Sequence, residues 1–385
     1  MTKTYAEINE KIRKGKAVVM TAEEAIGLAR EKGVKEVARK IDVVTTATFG
    51  PMCSSGVFLN LGHSDPPIKM QKVSLNEVPA YGGLAAVDIY LGAAELSEVK
   101  GMEYGGAHVI EDLVRGKKVK LRATSYGTDC YPRREISTTV TLDSINQAIM
   151  LNPRNAYQNY AVAVNRSNRT LYTYMGTLLP RMGNATYCNA SQLSPLIKDP
   201  LYRTIGIGTR IFLCGAPGYV AWEGTQHHSA CERDPKTNIP YGSAGTLCLM
   251  GDLKQMSAEF LRAAVFHHYG PTMFIGIGVP IPVLDEDIAA SLCVEDKDIY
   301  ATIVDYSVQK RSKPQLGRVS YEQLRSGAIE IDGKKIPTSP LSSYAKARKI
   351  TQVLKQWLQQ KKFQLQEPIQ QLPKNRIFKP LKEML

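Results

Sequence analysis

Ile41-Asp42-Val43-Val44-Thr45-Thr46-Ala47-Thr48-Phe49 runs without a break into Gly50-Pro51-Met52-Cys53-Ser54-Ser55-Gly56. The first stretch is β-branched and aromatic with one charge, Asp42, which predicts a buried strand. The second is built of Gly, Pro and small residues, which end the strand in a turn-rich loop. Val119 to Tyr126 repeats the arrangement, a β-rich run ending in Gly127-Thr128-Asp129-Cys130-Tyr131-Pro132. Two cysteines therefore each follow a strand and sit beside Gly and Pro, the strand-end position where α/β enzymes place their chemistry.

Working outward, Tyr5 to Gly33 reads as helical, with Thr21-Ala22-Glu23-Glu24 as a capping box and Gly33 as the stop. A short helix over Lys35 to Lys40 follows. Asp143 is a cap for a helix through Leu151, closed by Asn152-Pro153. Tyr157 to Asn165 and Arg169 to Tyr174 read as a hairpin around Arg166-Ser167-Asn168. Thr204 to Phe212 and Phe274 to Pro282 are two similar strands with alternating Gly, a weak sign of duplication. Gly245 to Met250 is an apolar strand, Ala258 to His267 a helix capped by Ser257, and Asp285 opens another helix. Ile329 to Ile336 is a hairpin about Asp332-Gly333. Ala347, Ile350, Leu354, Trp357 and Leu358 recur at helical spacing, and from Pro368 the chain reads as an extended tail. The fold class is mixed α/β: a single large core with mixed sheets, peripheral helices, and a C-terminal amphipathic helix and tail. The division is a catalytic domain over residues 1–373 and a basic tail over 374–385.

With 385 residues, 43% hydrophobic and 22% charged, the chain is long enough for a large core and ordinary in composition. No apolar run reaches the ~20 residues that span a bilayer, and Met1 to Lys16 lacks the apolar segment of a secretory signal. The seven cysteines, Cys53, Cys130, Cys188, Cys214, Cys231, Cys248 and Cys293, are odd in number, widely spaced and free of any C-x-x-C. That argues for reduced thiols in a cytoplasmic protein. The net charge of +13 is concentrated at the end, where Leu341 to Leu385 holds ten Lys and Arg against two Glu. A nucleic-acid footprint is one reading of this run. A solvated helix face and tail is the preferred one, so the expectation is no nucleic acid and no membrane. No P-loop, G-x-S-x-G elbow, H-E-x-x-H, EF-hand or complete dinucleotide fingerprint occurs.

Among residues able to carry chemistry, Cys53 lies where backbone N–H groups can converge on a thiolate. Cys130 is followed by Arg133 and Arg134, which lower a thiol pKa or grip a carboxylate. Cys214 and Cys248 read as small core hydrophobes, Cys293 as helical, and Cys188 and Cys231 as loop thiols freer to act as ligands. His63 and His227 are candidate acid–base groups, with Glu223 a polar neighbour of the latter. His267 and His268 read as the end of a helix.

Longer strings now resemble a known family. Val43 to Thr46 through Gly50-Pro51-Met52-Cys53-Ser54-Ser55-Gly56, Gly62-His63-Ser64-Asp65-Pro66-Pro67, Tyr104-Gly105-Gly106-Ala107-His108 and Tyr126 to Pro132 are similar to the homocysteine-biosynthesis family. So are Gln192 to Leu196, Tyr202 to Phe212 and Glu223-Gly224-Thr225-Gln226-His227. The resemblance spans Tyr5 to about Pro373. It implies sulfur transfer to L-aspartate semialdehyde, with the family's two important cysteines at Cys53 and Cys130. It also implies an iron–sulfur cluster of the [4Fe-4S] kind, with Cys53 and Cys130 as ligands and Cys188 or Cys231 as a third. A small ferredoxin-like protein is the implied sulfur or electron donor. Some members carry a C-terminal pair of CBS domains, which this chain stops short of. A homodimer is the base-rate expectation.

Putting sulfur on an aldehyde carbon needs a sulfur carrier, a proton donor for the departing hydroxyl, an anion clamp and a source of two electrons. Cys53 or Cys130 fits the first, His63 or His227 the second, and Arg133 or Arg134 the third. The alternatives are another thiol- or cluster-dependent enzyme on the same scaffold, such as a hydrolyase or a sulfur-trafficking protein, and, outside enzymes, a basic nucleic-acid-binding protein.

Overall fold

The protein is described by a computed structural model over residues 2–155, 158–377 and 379–381. The opening strand extends to Val43–Pro51, buried along nearly its whole length. Such burial on both faces is what its β-branched sequence requires. Gly270–Pro282 pairs with it antiparallel over the whole length, Val43 opposite Pro282 and Pro51 opposite Phe274.

This pair belongs to a fourteen-stranded sheet, thirteen strands in one path and Leu261–Phe266 paired with Gly270–Pro282 off it. From one edge the order runs Val19–Thr21, Val43–Pro51, Gly270–Pro282, Arg210–Leu213, Ala216–Glu223, Leu247–Asp252, Gln147–Asn155 and Gly56–Asn60. It continues through Asp88–Gly92, Val78–Tyr81, Lys72–Leu75 and Val119–Thr124 to Glu135–Val140. Val43–Pro51 and Gly56–Asn60 are consecutive in sequence yet six steps apart along this path. Six steps in a flat sheet would cover about 29 Å. The residues from Pro51 to Gly56 can reach at most about 18 Å when fully extended. The sheet therefore curls back on itself, and the Cys53 loop bridges the seam.

A second, six-stranded mixed sheet orders Gln315–Ser320, Tyr300–Asp305, Val162–Val164, Ala185–Tyr187, Lys334–Pro340 and Ala328–Ile331. The apolar interior divides with the sheets. One large cluster fills the curled sheet and its helices, and a smaller one including Val162, Tyr187, Ile303, Tyr321 and Ile336 lies on the second sheet. Mixed α/β is thus the architecture found.

The helix Tyr344–Gln359 buries Ala347, Ile350, Leu354 and Leu358, the stripe its spacing predicts. Its seat explains the alternating glycines of Gly270–Pro282. A Cβ on Gly276 would lie 2.7 Å from Ile350, and one on Gly278 2.9 Å from the same side chain. Glycine lets the helix lie directly on the strand. The basic face of this helix is largely answered by the body: Arg348 pairs with Glu23, Lys355 with Glu24, and Lys346 and Lys349 with Glu259. Beyond it Gln370–Gln371 pairs antiparallel with Gly206–Ile207, so the tail is docked there. Phe378 and residues 382–385 of the expected basic tail lie outside the described residues.

Several expectations are corrected. Tyr5 to Gly33 is two helices, Tyr5–Lys14 and Ala22–Lys32, because Gly15 ends the first in a left-handed cap and Val19–Thr21 pairs parallel with Val43–Thr45. The predicted Thr21–Glu24 capping box is present. The helix expected over Asp143 to Leu151 is instead the strand Gln147–Asn155, hydrogen-bonded on both sides. Ala258 to His267 contains the strand Leu261–Phe266, paired with Gly270–Pro282, so His267 and His268 occupy a hairpin turn. The hairpin expected around Arg166 does not form: Val162–Val164 pairs with Ala185–Tyr187 and Tyr300–Asp305, and Leu171–Thr173 with Gly176–Leu178. Its expected first residue, Tyr157, lies outside the described residues. Among the described residues no helix is long and apolar enough to cross a membrane.

Candidate active site

After Pro51 the Met52 N–H donates to the Met273 carbonyl at 2.7 Å and the chain turns sharply. The Met52 carbonyl accepts from both the N–H and the hydroxyl of Ser55, at 3.1 and 2.7 Å. Cys53 sits on this corner, partly buried, with Sγ 2.9 Å from Oγ1 of the fully buried Thr272.

The neighbouring strand Gln147–Asn155 is fastened to the corner. The Asn152 amide donates to Ser55 Oγ, and Ser54 Oγ donates to the Arg154 carbonyl at 3.0 Å. Between Asn152, opposite Leu249, and Asn155, opposite Leu247, the strand carries one residue more than its partner. This is a β-bulge, a device that re-aims a side chain. Asn152 Oδ1 takes up the Arg154 N–H, at 3.2 Å.

A cavity of about 270 Å³ opens on the corner between the two sheets. Two thiols line it, Cys53 and Cys188, the latter just past the strand Ala185–Tyr187. Two guanidinium groups, Arg154 and Arg311, face the same space, with Tyr160, Tyr174, Tyr269 and Gln226. None of the lining residues is acidic. A second chamber of about 400 Å³ shares Tyr160, Tyr174, Gln226 and Arg311 and adds Lys313, Tyr306 and His228.

The Cys188 thiol is pushed up to about 11 by its burial; Ser342, 3.5 Å from Sγ, pulls the other way, and a charge on Cys53 would add to the rise. Cys188 is therefore a neutral thiol at pH 7, a weak nucleophile compared with a thiolate. The Arg154 Nε is buried and has no hydrogen-bond partner among the described residues.

The other expected site residues lie elsewhere. Cys130 is exposed on the loop joining Val119–Thr124 to Glu135–Val140, with Thr128 Oγ1 at 3.4 Å. His63 stacks near Tyr131 of that loop, ring centroids 6.0 Å apart, and Arg133 donates to the Asp65 carbonyl at 2.8 Å. Arg134 folds over Gly127, where a Cβ would lie 3.1 Å from its Nε. So Cys130, His63, Arg133 and Arg134 form one surface group, and none of them lines the Cys53 cavity.

His227 is 2% exposed. Its Nε2 lies 3.1 Å from the Pro373 carbonyl and its Nδ1 accepts the Thr246 N–H at 3.1 Å. The Thr246 carbonyl lies 3.0 Å from the same Nδ1, and the contact to Pro373 holds the docked tail. Glu223 pairs with Arg376 of the same tail. The Cys231 thiol faces the Ser229 carbonyl at 3.8 Å beside this tail and also does not line the cavity.

A cluster needs three or four ligands. Of the expected set Cys53, Cys130, Cys188 and Cys231, only Cys53 and Cys188 share the cavity, and no group of three or more His, Cys, Asp or Glu able to hold a metal ion occurs among the described residues. These residues do not fit a cluster in the arrangement described.

Sequence reasoning missed Arg154, because its strand read as a helix, and missed Thr272, Arg311 and the tyrosines, which no local motif marks. It placed Cys188 in a loop, where the residue is found just past Ala185–Tyr187, half-buried and lining the cavity.

Comparison with known proteins follows the same outline. Residues 17–365 match the family described as homocysteine biosynthesis enzyme, sulfur-incorporation. A protein of Methanosarcina acetivorans named L-aspartate semialdehyde sulfurtransferase is 55% identical over 99% of this chain and 74% of its own length. One of Methanocaldococcus jannaschii with the same name is 53% identical over 96% of this chain and 73% of its own. An uncharacterized protein of Methanothermobacter thermautotrophicus is 32% identical over 84% of this chain and 72% of its own. No solved structure matches the chain.

Proposed function

The chain belongs to the family of sulfur-incorporating homocysteine biosynthesis enzymes, and on that footing we propose that it is a sulfurtransferase that puts sulfide-level sulfur on the aldehyde carbon of L-aspartate semialdehyde. The observation that carries the reading is Cys53 in a cation-lined cavity within a chain that matches named sulfurtransferases over nearly its full length.

The net change is definite. From a persulfide on the carrier thiol, the aldehyde carbon gains a C–S bond, two electrons and two protons break the S–S bond and return the carrier thiol, the aldehyde oxygen leaves as water, and two more electrons and two protons complete the product thiol. Cys53 is the proposed sulfur carrier. The Thr272 hydroxyl, 2.9 Å away, is placed to hold the sulfur in one orientation. The turn and the Asn152 and Ser54 hydrogen bonds fix the loop, and such fixing matters because a misplacement of about 1 Å costs on the order of 100-fold in rate. Cys188 is a second thiol facing the same space, kept neutral by burial.

Cys130 belongs to the reading through its exposed loop, beside His63 and Arg133, where a ferredoxin-like donor protein can reach it. Four electrons per turnover come from a separate donor that delivers two at a time. The sulfur is placed on thiols, because Cys53 and Cys188 are two where a cluster needs at least three. Seven free thiols suit a cytoplasmic setting.

The test is homocysteine formation from L-aspartate semialdehyde, a sulfur donor and a reductant under anaerobic conditions, read by mass spectrometry after thiol derivatisation. Cys53→Ala is expected to abolish it. Full activity in both Cys53→Ala and Cys130→Ala would overturn the thiol mechanism.

A further inference from the structure

We propose that Arg154 is the specificity-determining clamp for the carboxylate of the substrate, an inference that rests on the sulfurtransferase reading of the Cys53 cavity. Three observations converge on it. The β-bulge between Asn152 and Asn155 places Arg154 on the wall of the cavity that holds Cys53. The Ser54 hydroxyl donates to the Arg154 carbonyl at 3.0 Å, so cation and thiol are fixed to each other through adjacent residues of the Cys53 loop. And the Arg154 Nε is buried with no partner among the described residues.

A partly buried guanidinium whose Nε finds no partner among the described residues is a costly cation to leave without a counter-charge. None of the residues lining the cavity is acidic, so the counter-charge must arrive with the ligand. The two terminal nitrogens of the guanidinium form a flat fork that a carboxylate accepts in two parallel hydrogen bonds. L-aspartate semialdehyde carries its carboxylate three carbons from the aldehyde carbon. One small zwitterion can thus place its carboxylate on a cation at one wall and its aldehyde at a thiol on the other. Its ammonium has no carboxylate to meet there. It faces Tyr160, Tyr174, Tyr269 and Gln226, where ring faces and an amide oxygen receive a cation. Arg133 and Arg134, the clamp expected from sequence, are spent on the Asp65 carbonyl and on covering Gly127.

Three aldehydes separate the contributions: L-aspartate semialdehyde, succinate semialdehyde, which keeps the carboxylate and lacks the ammonium, and 3-aminopropanal, which keeps the ammonium and lacks the carboxylate. In Arg154→Ala, kcat/KM is expected to fall about 100-fold for the first two, mostly through KM, and to stay within about threefold for 3-aminopropanal. Arg154→Lys is expected to recover part of the loss, since it restores the charge without the fork. Equal losses on all three aldehydes, with the wild type active, would overturn the clamp and leave the sulfurtransferase reading standing. Calorimetric binding of L-2-aminobutyrate, which needs no turnover, gives the independent readout. Affinity about 100-fold weaker in Arg154→Ala supports the clamp even if L-aspartate semialdehyde proves not to be the substrate. Affinity unchanged in a variant whose thermal unfolding matches the wild type overturns it.

Discussion

Replacing Asn152 with Ala separates the latch of the site from the rest of the fold. Asn152 is 0% and Ser55 1% exposed, so water does not replace what the amide provides. The amide donates to Ser55 Oγ and accepts the Arg154 N–H at 3.2 Å, the group that the bulge removes from ordinary strand pairing. Truncation leaves Ser55 with its own bond to the Met52 carbonyl but without a donor, and leaves the Arg154 N–H unpaired. Each orphaned group costs about 1–2 kcal/mol, so the loss is about 2–4 kcal/mol. For a chain of 385 residues the entropy of unfolding near the midpoint is about 0.8 kcal/mol/K, and the melting temperature drops by about 3–5 °C. Activity should fall much further, by 10-fold or more, because the same bonds set Cys53 against Arg154. Calorimetry gives the first quantity, and homocysteine formation well below the transition gives the second. A variant that melts lower but keeps activity within twofold of wild type would refute the positioning role and leave Asn152 a stabilising residue alone.

Three further outcomes are expected. A Cβ on Gly50 would lie 2.8 Å from Ser342 Oγ and 3.7 Å from Cys188 Sγ, so Gly50→Ala should cost about 1–3 kcal/mol by urea unfolding, and Ser342→Gly in that background should recover most of it. Lys198 is fully buried, its Nζ donating to the Leu292 and Val294 carbonyls, and burial pulls it down to about 7 against the upward pull of nearby acids. The unfolded chain then binds more protons between pH 7 and 10.5, stability rises with pH through that window by at most about 1.4 kcal/mol per unit, and Lys198→Met should flatten the slope. His227→Ala should lower stability by about 2–3 kcal/mol through two lost backbone partners and leave the pH profile of activity unchanged; a displaced profile would restore His227 as a proton carrier.

How far the site could be read in advance followed from how local its determinants are. The Cys53 corner was legible because a β-branched run ending in Gly-Pro fixes both the strand and its exit within one short segment. Arg154 was hidden because the segment before it read as a helix capped by Asp143 and closed by Asn152-Pro153. Ile145, Ala148 and Ile149 repeat at helical spacing, yet Ala148, Met150 and Asn152 are buried while Ile149 is exposed, an alternation imposed by partners on both sides of the strand. Pairing overrode propensity at Leu261–Phe266 for the same reason. Asn152-Pro153, which looked like a helix stop, is where the bulge forms. The basic run after Leu341 was countable from composition, but its partners Glu23, Glu24, Glu223 and Glu259 are scattered along the chain and only folding gathers them.

Two cysteines that each follow a β-rich run and a glycine end in different environments, and topology supplies the reason. The Cys130 loop leads into Glu135–Val140, the last strand on the path, which has a neighbour on one side only. A hairpin tip at a sheet edge has nothing to close over it, and Cys130 is exposed. The Cys53 loop crosses the seam of the curl, where the second sheet brings Cys188, Tyr160 and Tyr174 against it. Sulfur on an open thiol is lost to any thiol that reaches it, since exchange depends on access. Sulfur on Cys53 meets only what enters a cavity of about 270 Å³ lined by two arginines. The seam corner therefore suits the thiol that must keep its sulfur for one small carboxylate-bearing aldehyde, and the edge loop suits one that must meet another protein.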